Sequence, residues 1–352
     1  MNEKVKKIQD FLNSTAAALV FSQPNRFYLT DFLCDSGLVF ITKNDAVFFT
    51  DFRYLEKAKE VSAVRVSDSK NWSEQVNALI EKYGIREMLI ETDYVSVAKF
   101  DLLKQKLNAE ILIVDELSKQ LRILRSQKSD KELSFIKSAQ EMTDNTFSYI
   151  LPRIEVGRTE RDIMLDMEFY LRKLGSEGIS FDFIVVSGKN TSLPHGVPSN
   201  KKIEKGDFIT MDFGAVKNGY RSDMTRTVAV GDVTNEQRTV YDTVLKAQTA
   251  ALKAIKTGVV CRDIDKIARD IIENDYAGCF GHGLGHSVGI EIHESPCLNT
   301  RDDTILLNNM VLTVEPGIYL EGRFGVRIED MVIVNQNGCE NITKSDKNLI
   351  IL

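Results

Sequence analysis

The stretch "MDFGAVKNGYRSDMTR" at residues 211–226 contains two apolar runs, each interrupted by one aspartate, on either side of Asn218-Gly219. An Asn-Gly pair between two β-type runs predicts a hairpin, because both central residues of a type I′ turn need a positive φ. The flanking sequences "DFITMDF" and "MTRTVAVG" are too apolar for a sheet that water covers on both faces. The positions of Asp212 and Asp223 in this hairpin therefore need an explanation.

The turn determines which residues face each other across the hairpin. With a two-residue turn, Asp212 pairs with Thr225 and Gly214 pairs with Asp223, so the two aspartates become diagonal neighbours on one face. Diagonal neighbours have Cα atoms about 7 to 8 Å apart, which lets both carboxylates reach one metal centre, and Gly214 leaves that face open. Two carboxylates on a half-buried face repel each other unless a cation neutralises them. The alternative is that both are solvated residues of an exposed hairpin.

Two further carboxylates occur in strand-like segments. Glu315 ends the apolar run of "NMVLTVEPGIYL". Glu329 lies in "FGVRIEDMVIV", where alternation along one continuous strand places Arg327, Glu329 and Met331 on one face and Ile328, Asp330 and Val332 on the other. Each carboxylate alone has a simpler explanation, a residue of an edge strand paired with an arginine. Together, four carboxylates and one histidine form a suitable ligand set for two divalent cations about 3.5 to 4 Å apart. Oxygen-rich ligation suits manganese, cobalt or zinc.

Three of the four histidines lie in "GHGLGHSVGIEIHESP", at positions 282, 286 and 293. The HxxxH spacing of His282 and His286 would place two ligands on one face of a helix, as in zinc proteases. The neighbouring glycines and the absence of an HExxH motif instead favour a glycine-rich strand or loop. A lone histidine is more often structural than a ligand, but this clustering favours a functional role.

The predicted chemistry lies in the later part of the chain, because no histidine precedes His195. Before it, β-type runs alternate with helical segments, which predicts a small α/β domain. A polar stretch then leads to Ser129 and Glu132, a capping box at the start of a helix. These changes predict one domain over residues 1–125 and a second over residues 126–352.

Two more helix starts are visible in the second domain. Thr159 is a candidate N-cap with Gly175 placed to end that helix, and Thr234 opens another capping box. The order helix, helix, strand, hairpin over residues 130–230 recurs loosely over residues 235–335. This order is a weak indication of internal duplication.

The composition excludes several classes of protein. The chain has 352 residues, of which 43% are hydrophobic and 27% charged, as in ordinary globular proteins. The net charge is -6 and no basic block is dense, so nucleic acid is not an expected partner. No run approaches the roughly 20 apolar residues of a membrane span. Five cysteines without a CxxC motif favour a cytoplasmic location with reduced thiols.

The motifs "MDFGAVKNGYRSDMTRT", "GHGLGHSVGIEIHESP", "LTVEPGIY" and "GVRIED" together resemble the metallopeptidases of the pita-bread fold, particularly the branch of aminopeptidase P and prolidase. The match covers residues from about 130 to 352 in motif order, and "NRFYLTDF" and "VFFTDFRYLEKA" resemble the accessory domain of that branch. The resemblance implies a small creatinase-like α/β domain followed by a pita-bread catalytic domain.

The resemblance also implies roles for individual residues. The implied metal ligands are Asp212, Asp223, His286, Glu315 and Glu329. The implied active-site residues are His195 in "SLPHGVP", His282, His293 and Arg327. Glu315 would also carry a proton toward the leaving proline nitrogen. His195 and His293 would stabilise the oxyanion and position the substrate, and Arg327 would orient histidine or substrate carboxylate groups.

This branch cleaves the bond between an N-terminal residue and proline, a tertiary amide without an N–H. Methionine aminopeptidases share the fold, but a full N-terminal domain and "SDMTRT" favour the proline-specific branch, and creatinase-like hydrolases lack the metal ligands. We predict an Xaa-Pro aminopeptidase with two divalent metal ions, acting on peptides with proline in second position. The alternatives are a prolidase restricted to Xaa-Pro dipeptides and a non-catalytic binding module. The resemblance further implies a homodimer.

Overall fold

The computed structural model describes residues 2–352 and divides into two compact units, one ending at Arg125 and the other running from Ser126 to Leu352. Buried apolar side chains form a core in the first unit and two further cores in the second. No helix among the described residues has the length and apolar character of a membrane span.

In the first unit, helices and strands alternate, as the sequence predicts. Its elements are α1 (Glu3–Phe11), β1 (Ala16–Val20), α2 (Gln23–Thr30), β2 (Leu38–Thr42), β3 (Ala46–Thr50), α3 (Phe52–Val61), β4 (Arg65–Asp68), α4 (Trp72–Tyr83), β5 (Glu87–Ile90), α5 (Val97–Lys106), β6 (Glu110–Leu112) and α6 (Glu116–Ser126). The strands form one mixed sheet in the order β4-β3-β2-β1-β5-β6. The α/β character predicted for this part of the chain is therefore confirmed.

The second unit contains four long helices and several short sheets. Its elements are α7 (Asp130–Ile150), α8 (Glu160–Lys173), β7 (Ile184–Ser187), β8 (Phe208–Phe213), β9 (Val216–Lys217), β10 (Tyr220–Arg221), β11 (Met224–Ala229), α9 (Asn235–Ala254), α10 (Cys261–Glu273), β12 (Gly285–Ser287), β13 (Glu294–Leu298), β14 (Val311–Val314), β15 (Gly317–Leu320), β16 (Phe324–Arg327), β17 (Asp330–Asn335) and β18 (Gly338–Asn341). The larger sheets have the orders β11-β8-β7 and β13-β12-β14-β17-β18. A helix pair precedes each sheet, so the predicted recurrence of element order is present.

Local capping signals determine where the long helices begin. Ser129, Thr159 and Thr234 each accept a hydrogen bond from the backbone of the third helical residue, and each belongs to a capping box. Gly175 follows α8 with a φ of 91°, the left-handed conformation that ends helices. These predicted helix boundaries are confirmed.

The hairpin of residues 211–226 has the predicted register. Asn218 and Gly219 have φ values of 49° and 75°, as a type I′ turn requires. Thr225 pairs with Asp212 along β8 and β11. The two aspartates consequently lie in the diagonal relation that the sequence predicts.

Gly214 allows a close backbone approach, whereas the sequence predicts that it leaves one face of the hairpin open. A Cβ atom at Gly214 would lie 1.9 Å from the carbonyl oxygen of Ser222, so glycine is needed for a close backbone approach. At the same place the backbone N–H of Ala215 donates to Ser222 Oγ at 2.9 Å, and the regular ladder is interrupted. This contact fixes the chain immediately before Asp223.

Replacing Gly214 by alanine should lower the free energy of unfolding by about 2 to 3 kcal/mol, because the added methyl group overlaps a backbone atom. Gly178→Ala is the matched control, since nothing lies within 4 Å of a Cβ atom there. Urea unfolding of the two variants measures the difference. Equal stabilities would show that the contact at Ser222 does not constrain the hairpin.

Candidate metal centre

Three buried carboxylates from separate segments meet in the second unit. Asp212 lies on β8, Asp223 lies just before β11, and Glu329 lies between β16 and β17. One oxygen of each lies within 4.8 Å of the others. Asp212 Oδ1, Asp223 Oδ1 and Glu329 Oε1 are buried atoms without a hydrogen-bond partner among the described residues. Buried oxygens without donors indicate a place for a cation.

The path of the chain around Glu329 differs from the prediction of one continuous strand. Residues 324–335 form two strands, because β16 pairs with β15 whereas β17 pairs with β14. Glu329 lies in the break, where its backbone N–H donates to the Thr225 carbonyl at 3.1 Å. The Asp330 side chain instead accepts a hydrogen bond from the buried guanidinium of Arg226 at 2.7 Å. The predicted separation of Glu329 from Asp330 is therefore correct, although a break in the strand produces it.

Thr225 connects the hairpin to this break. Its hydroxyl donates to Glu329 Oε2 at 2.7 Å and accepts from Arg327 Nε at 3.0 Å. Arg327 Nη2 donates to Asp212 Oδ2 at 2.6 Å. One oxygen of Asp212 and one of Glu329 are thus held by protein donors, which leaves the other oxygen of each carboxylate for a cation.

His286 and Glu315 lie at the edge of the three carboxylates. His286 Nε2 is 3.6 Å from Asp223 Oδ2 and 3.4 Å from Glu315 Oε1. His286 Nδ1 lies 3.2 Å from the Ser287 carbonyl, the contact expected of a ring that donates through Nδ1 and keeps Nε2 free to bind metal. His286 lies on β12, in the glycine-rich strand predicted in place of a helix.

Burial makes the charged forms of these groups unfavourable in the absence of a cation. Burial and the neighbouring carboxylates raise the pKa values of Asp223 and Glu329 well above their usual range. Burial raises the pKa of Glu315 to about 8. Burial, with His293 nearby, lowers the pKa of His286 to about 4, so this ring is neutral at pH 7. Repelling carboxylates beside a neutral histidine fit divalent cations.

The buried guanidinium of Arg327 donates to four protein groups. Besides Asp212 and Thr225, it donates to the Tyr319 hydroxyl at 2.8 Å and to the Pro194 carbonyl at 3.2 Å. Arg327 therefore contacts a predicted metal ligand directly and His282 through the Tyr319 hydroxyl.

Tyr319 is a site residue that the sequence reasoning missed. Its hydroxyl lies 2.9 Å from His282 Nε2, while His282 Nδ1 lies 2.8 Å from the Gly283 carbonyl. Tyr319 thereby connects His282 to Arg327. The indication in the sequence that Tyr319 belongs to the site is its position in "LTVEPGIY", four residues after Glu315.

A cavity of about 980 Å³ opens over the carboxylates, and all four histidines line it. His195 and His293 are exposed on its wall. The His293 ring centroid lies 4.5 Å from that of His286 in an edge-to-face arrangement. The structure thus brings every predicted site residue to one cavity.

Buried Glu160 fixes the segment that carries His195. Its Oε1 accepts from the Ser187 backbone at 2.6 Å and from Asn190 Nδ2 at 3.0 Å. Its Oε2 accepts from the backbone and the hydroxyl of Ser199 at 3.0 and 2.6 Å. Glu160 therefore connects the end of β7 to Ser199, so the part of the β7–β8 loop that carries His195 is held on both sides. The sequence reasoning missed it, because an acid in the first turn of a helix is ordinary.

A buried ion pair between Lys128 and Glu294 fixes the segment that carries His293. Glu294 is 3.2 Å from Lys128 Nζ, and their side chains are 5% and 2% exposed. Lys128 also donates to the Ser287 hydroxyl at 3.0 Å. This pair joins the two strands that flank the loop between His286 and His293.

Both parts of the chain match known protein families. Residues 134–336 match the model of metallopeptidase family M24, and residues 4–124 match the creatinase/prolidase N-terminal domain. The chain is 38% identical to an Xaa-Pro dipeptidase of Pyrococcus horikoshii, over 99% of both chains.

Two solved structures are also similar along the whole chain. An Xaa-Pro dipeptidase from Bacillus anthracis has a TM-score of 0.95 and 39% identity, and covers 99% of both chains. An X-Pro aminopeptidase from Thermotoga maritima has a TM-score of 0.91 and 34% identity, and covers 98% of this chain and 100% of its own. The predicted creatinase-like and pita-bread folds are confirmed.

Removing metal with a chelator should make the protein less stable as the pH rises from 6.5 to 8. The lowered pKa values of His282 and His286, about 4 when folded, act in the opposite direction, but by less than about 1 kcal/mol together, because unfolded histidines are already half deprotonated at pH 6.5. Glu315 is ionised when unfolded, but its raised pKa of about 8 keeps it protonated when folded. A pKa raised by folding stabilises the protein at low pH, and the stabilisation is lost as the pH rises through the folded value. For Glu315 alone the loss is about 2 kcal/mol.

Thermal unfolding of the chelated protein at several pH values measures this loss. Added manganese should remove the pH dependence, because cation binding favours the ionised carboxylates. Glu315→Gln should show a shallower decline, since the amide does not titrate. A melting temperature that stays constant or increases over this window would contradict the electrostatic account.

Proposed function

Because the chain belongs to metallopeptidase family M24, whose relatives include Xaa-Pro dipeptidases, we propose that it is a metallo-exopeptidase that hydrolyses Xaa-Pro dipeptides. The observation that carries this proposal is a set of buried carboxylates with unpartnered oxygens, in a chain similar over its whole length to proteins of that name. The Xaa-Pro aminopeptidase type, which the sequence alone favours, receives less support from these relatives than the prolidase alternative.

Five residues would hold two divalent cations: Asp212, Asp223, His286, Glu315 and Glu329. When bound, the cations supply Lewis acidity that polarises the scissile carbonyl and lowers the pKa of a water molecule. Manganese, cobalt and zinc are the candidate metals. Arg327 and Thr225 fix one oxygen of Asp212 and one of Glu329, so that these two carboxylates present a constant geometry.

The remaining chemistry belongs to side chains of the cavity wall. The proline nitrogen has to gain a proton when it leaves, and Glu315 at the edge of the carboxylates is our candidate for delivering it. Burial, with His195 nearby, lowers the pKa of His293, so this neutral ring can donate a hydrogen bond to a developing oxyanion. His195 would position the substrate, and the contact between Tyr319 and His282 would hold the His282 ring in place.

The assembly and location of the protein are also proposals. We retain a homodimer and a cytoplasmic location from the sequence. The five cysteines are free thiols, which supports a reducing compartment.

Replacing Asp223 by asparagine should remove at least one equivalent of bound metal, because the amide lacks the charge that holds a cation. Elemental analysis after manganese loading and gel filtration measures the content. Asp182→Asn is the matched control, since Asp182 lines the same cavity but lies outside the three-carboxylate group. Unchanged metal content in the Asp223 variant would refute its assignment as a ligand.

Manganese-loaded enzyme should hydrolyse Ala-Pro much faster than Ala-Pro-Ala, and prior treatment with a chelator should abolish both activities. Chromatographic measurement of released alanine gives kcat/KM for each substrate. Faster cleavage of the tripeptide would support the aminopeptidase alternative. Retention of both activities after chelation would contradict a metallopeptidase mechanism.

A further inference from the structure

Arg226 and Asp330 form a buried ion pair next to the metal centre, but neither lines the cavity. Arg226 belongs to the motif "SDMTRT" and Asp330 to the motif "GVRIED". The two residues are 1% and 0% exposed, and a guanidinium nitrogen lies 2.7 Å from a carboxylate oxygen. A buried ion pair is by itself weak evidence for stability. The other contacts of the pair therefore indicate its purpose.

The guanidinium of Arg226 joins three separate segments of the chain. An arginine has five N–H donors, and each of them has an acceptor here. The acceptors are Asp330 Oδ1 and the main-chain carbonyls of Thr225, Glu329, Ser345 and Asp346. Arg226 thus connects the hairpin, the break before β17 and the segment near the C-terminal end of the sequence.

Glu329 needs such contacts because it lies outside the strands on either side of it. β16 ends at Arg327 and β17 begins at Asp330, so no neighbouring strand is paired with Glu329. Its backbone N–H donates to the Thr225 carbonyl at 3.1 Å, and its carbonyl accepts from Arg226. Its Oε2 accepts from the Thr225 hydroxyl at 2.7 Å. Every polar atom of Glu329 except Oε1 therefore has a protein partner.

Asp212, another implied metal ligand, is held in a different way. It lies inside β8, where it pairs with Thr225 on one side and with Ile184 on the other. Buried main-chain groups need hydrogen-bond partners. For Asp212 the sheet supplies them, whereas the carbonyl of Glu329 depends on one side chain. A substitution of Arg226 can therefore displace Glu329 while Asp212 stays in place.

Asp330 fixes the orientation of the guanidinium. Its second oxygen, Oδ2, accepts from Gln248 Nε2 and from Asn341 Nδ2, both at 2.8 Å. The same oxygen accepts from Lys347 Nζ at 2.6 Å. These donors hold the carboxylate, and the carboxylate in turn holds Arg226.

We infer that Arg226 is a positioning residue for Glu329, which replaces the missing strand partner at the break and keeps the free oxygen of Glu329 at the metal centre. The inference rests on the proposed metallopeptidase function. Groups that orient a metal ligand without touching the metal typically change metal affinity or activity by about 10- to 100-fold.

The test is an isothermal titration of the metal-free protein with manganese. Arg226→Lys should raise the Kd for manganese about tenfold, because a lysine has three donors without the planar fork and cannot serve five acceptors. At limiting manganese, kcat for Ala-Pro should fall, and excess manganese should restore most of it. KM should not change, since Arg226 lies outside the cavity.

Arg269→Lys is the matched control. Arg269 also binds a buried carboxylate, that of Asp265, and donates to the carbonyls of Phe280 and His282. None of these partners is an implied metal ligand. This variant should bind manganese with the wild-type Kd, even if it unfolds at a lower temperature.

A second variant keeps the inference testable if Arg226→Lys does not fold, which circular dichroism establishes. Asp330→Asn retains the shape of the side chain but loses the charge that holds the guanidinium. It should raise the Kd for manganese about threefold, the effect of one weakened hydrogen bond. In that case, a wild-type Kd in folded Asp330→Asn overturns the inference.

The possible outcomes separate the inference from the proposed function. A wild-type protein that does not bind manganese overturns the proposed function, and the inference with it. A wild-type protein that binds manganese while folded Arg226→Lys has the same Kd overturns the inference alone. An equal increase of Kd in Arg269→Lys also overturns it, because any loss of a buried arginine would then weaken metal binding.

Discussion

The structure of the second unit depends on holding Asp212, Asp223 and Glu329 together in a buried place where they repel one another. Burial and mutual repulsion act in the same direction on the pKa values of Asp223 and Glu329. Protein donors bind only some of these carboxylate oxygens, since one oxygen of each carboxylate has no hydrogen-bond partner among the described residues. The fold therefore provides the position and leaves the compensating charge to a cation.

Arg327 and Thr225 reduce the repulsion without filling the space. Arg327 binds the outer oxygen of Asp212, and Thr225 donates to Glu329 while accepting from Arg327. Each contact holds one oxygen of a carboxylate and leaves the other without a partner among the described residues. A lysine in place of Arg327 would retain the charge but lose the fork that contacts Asp212 and Tyr319 together.

Local rules account for what the sequence predicts well. The Asn218-Gly219 turn and the alternation of strand residues place Asp212 beside Asp223, since both depend on short-range geometry. The break before Glu329 was not predictable in this way, because it arises where the chain changes pairing partner from β15 to β14. Tyr319 and Glu160 were missed because their role depends on contacts with residues distant in the sequence.

The carboxylate centre and the remaining cavity wall come from different segments of the unit. The hairpin after the first helix pair supplies Asp212 and Asp223, whereas the segments after the second pair supply His286, Glu315 and Glu329. Other residues of the cavity wall, including Met164 and His195, belong to α8 and to the loop after β7. Because no predicted metal ligand lies on α8 or in that loop, the sequence of this wall can vary without removing a ligand.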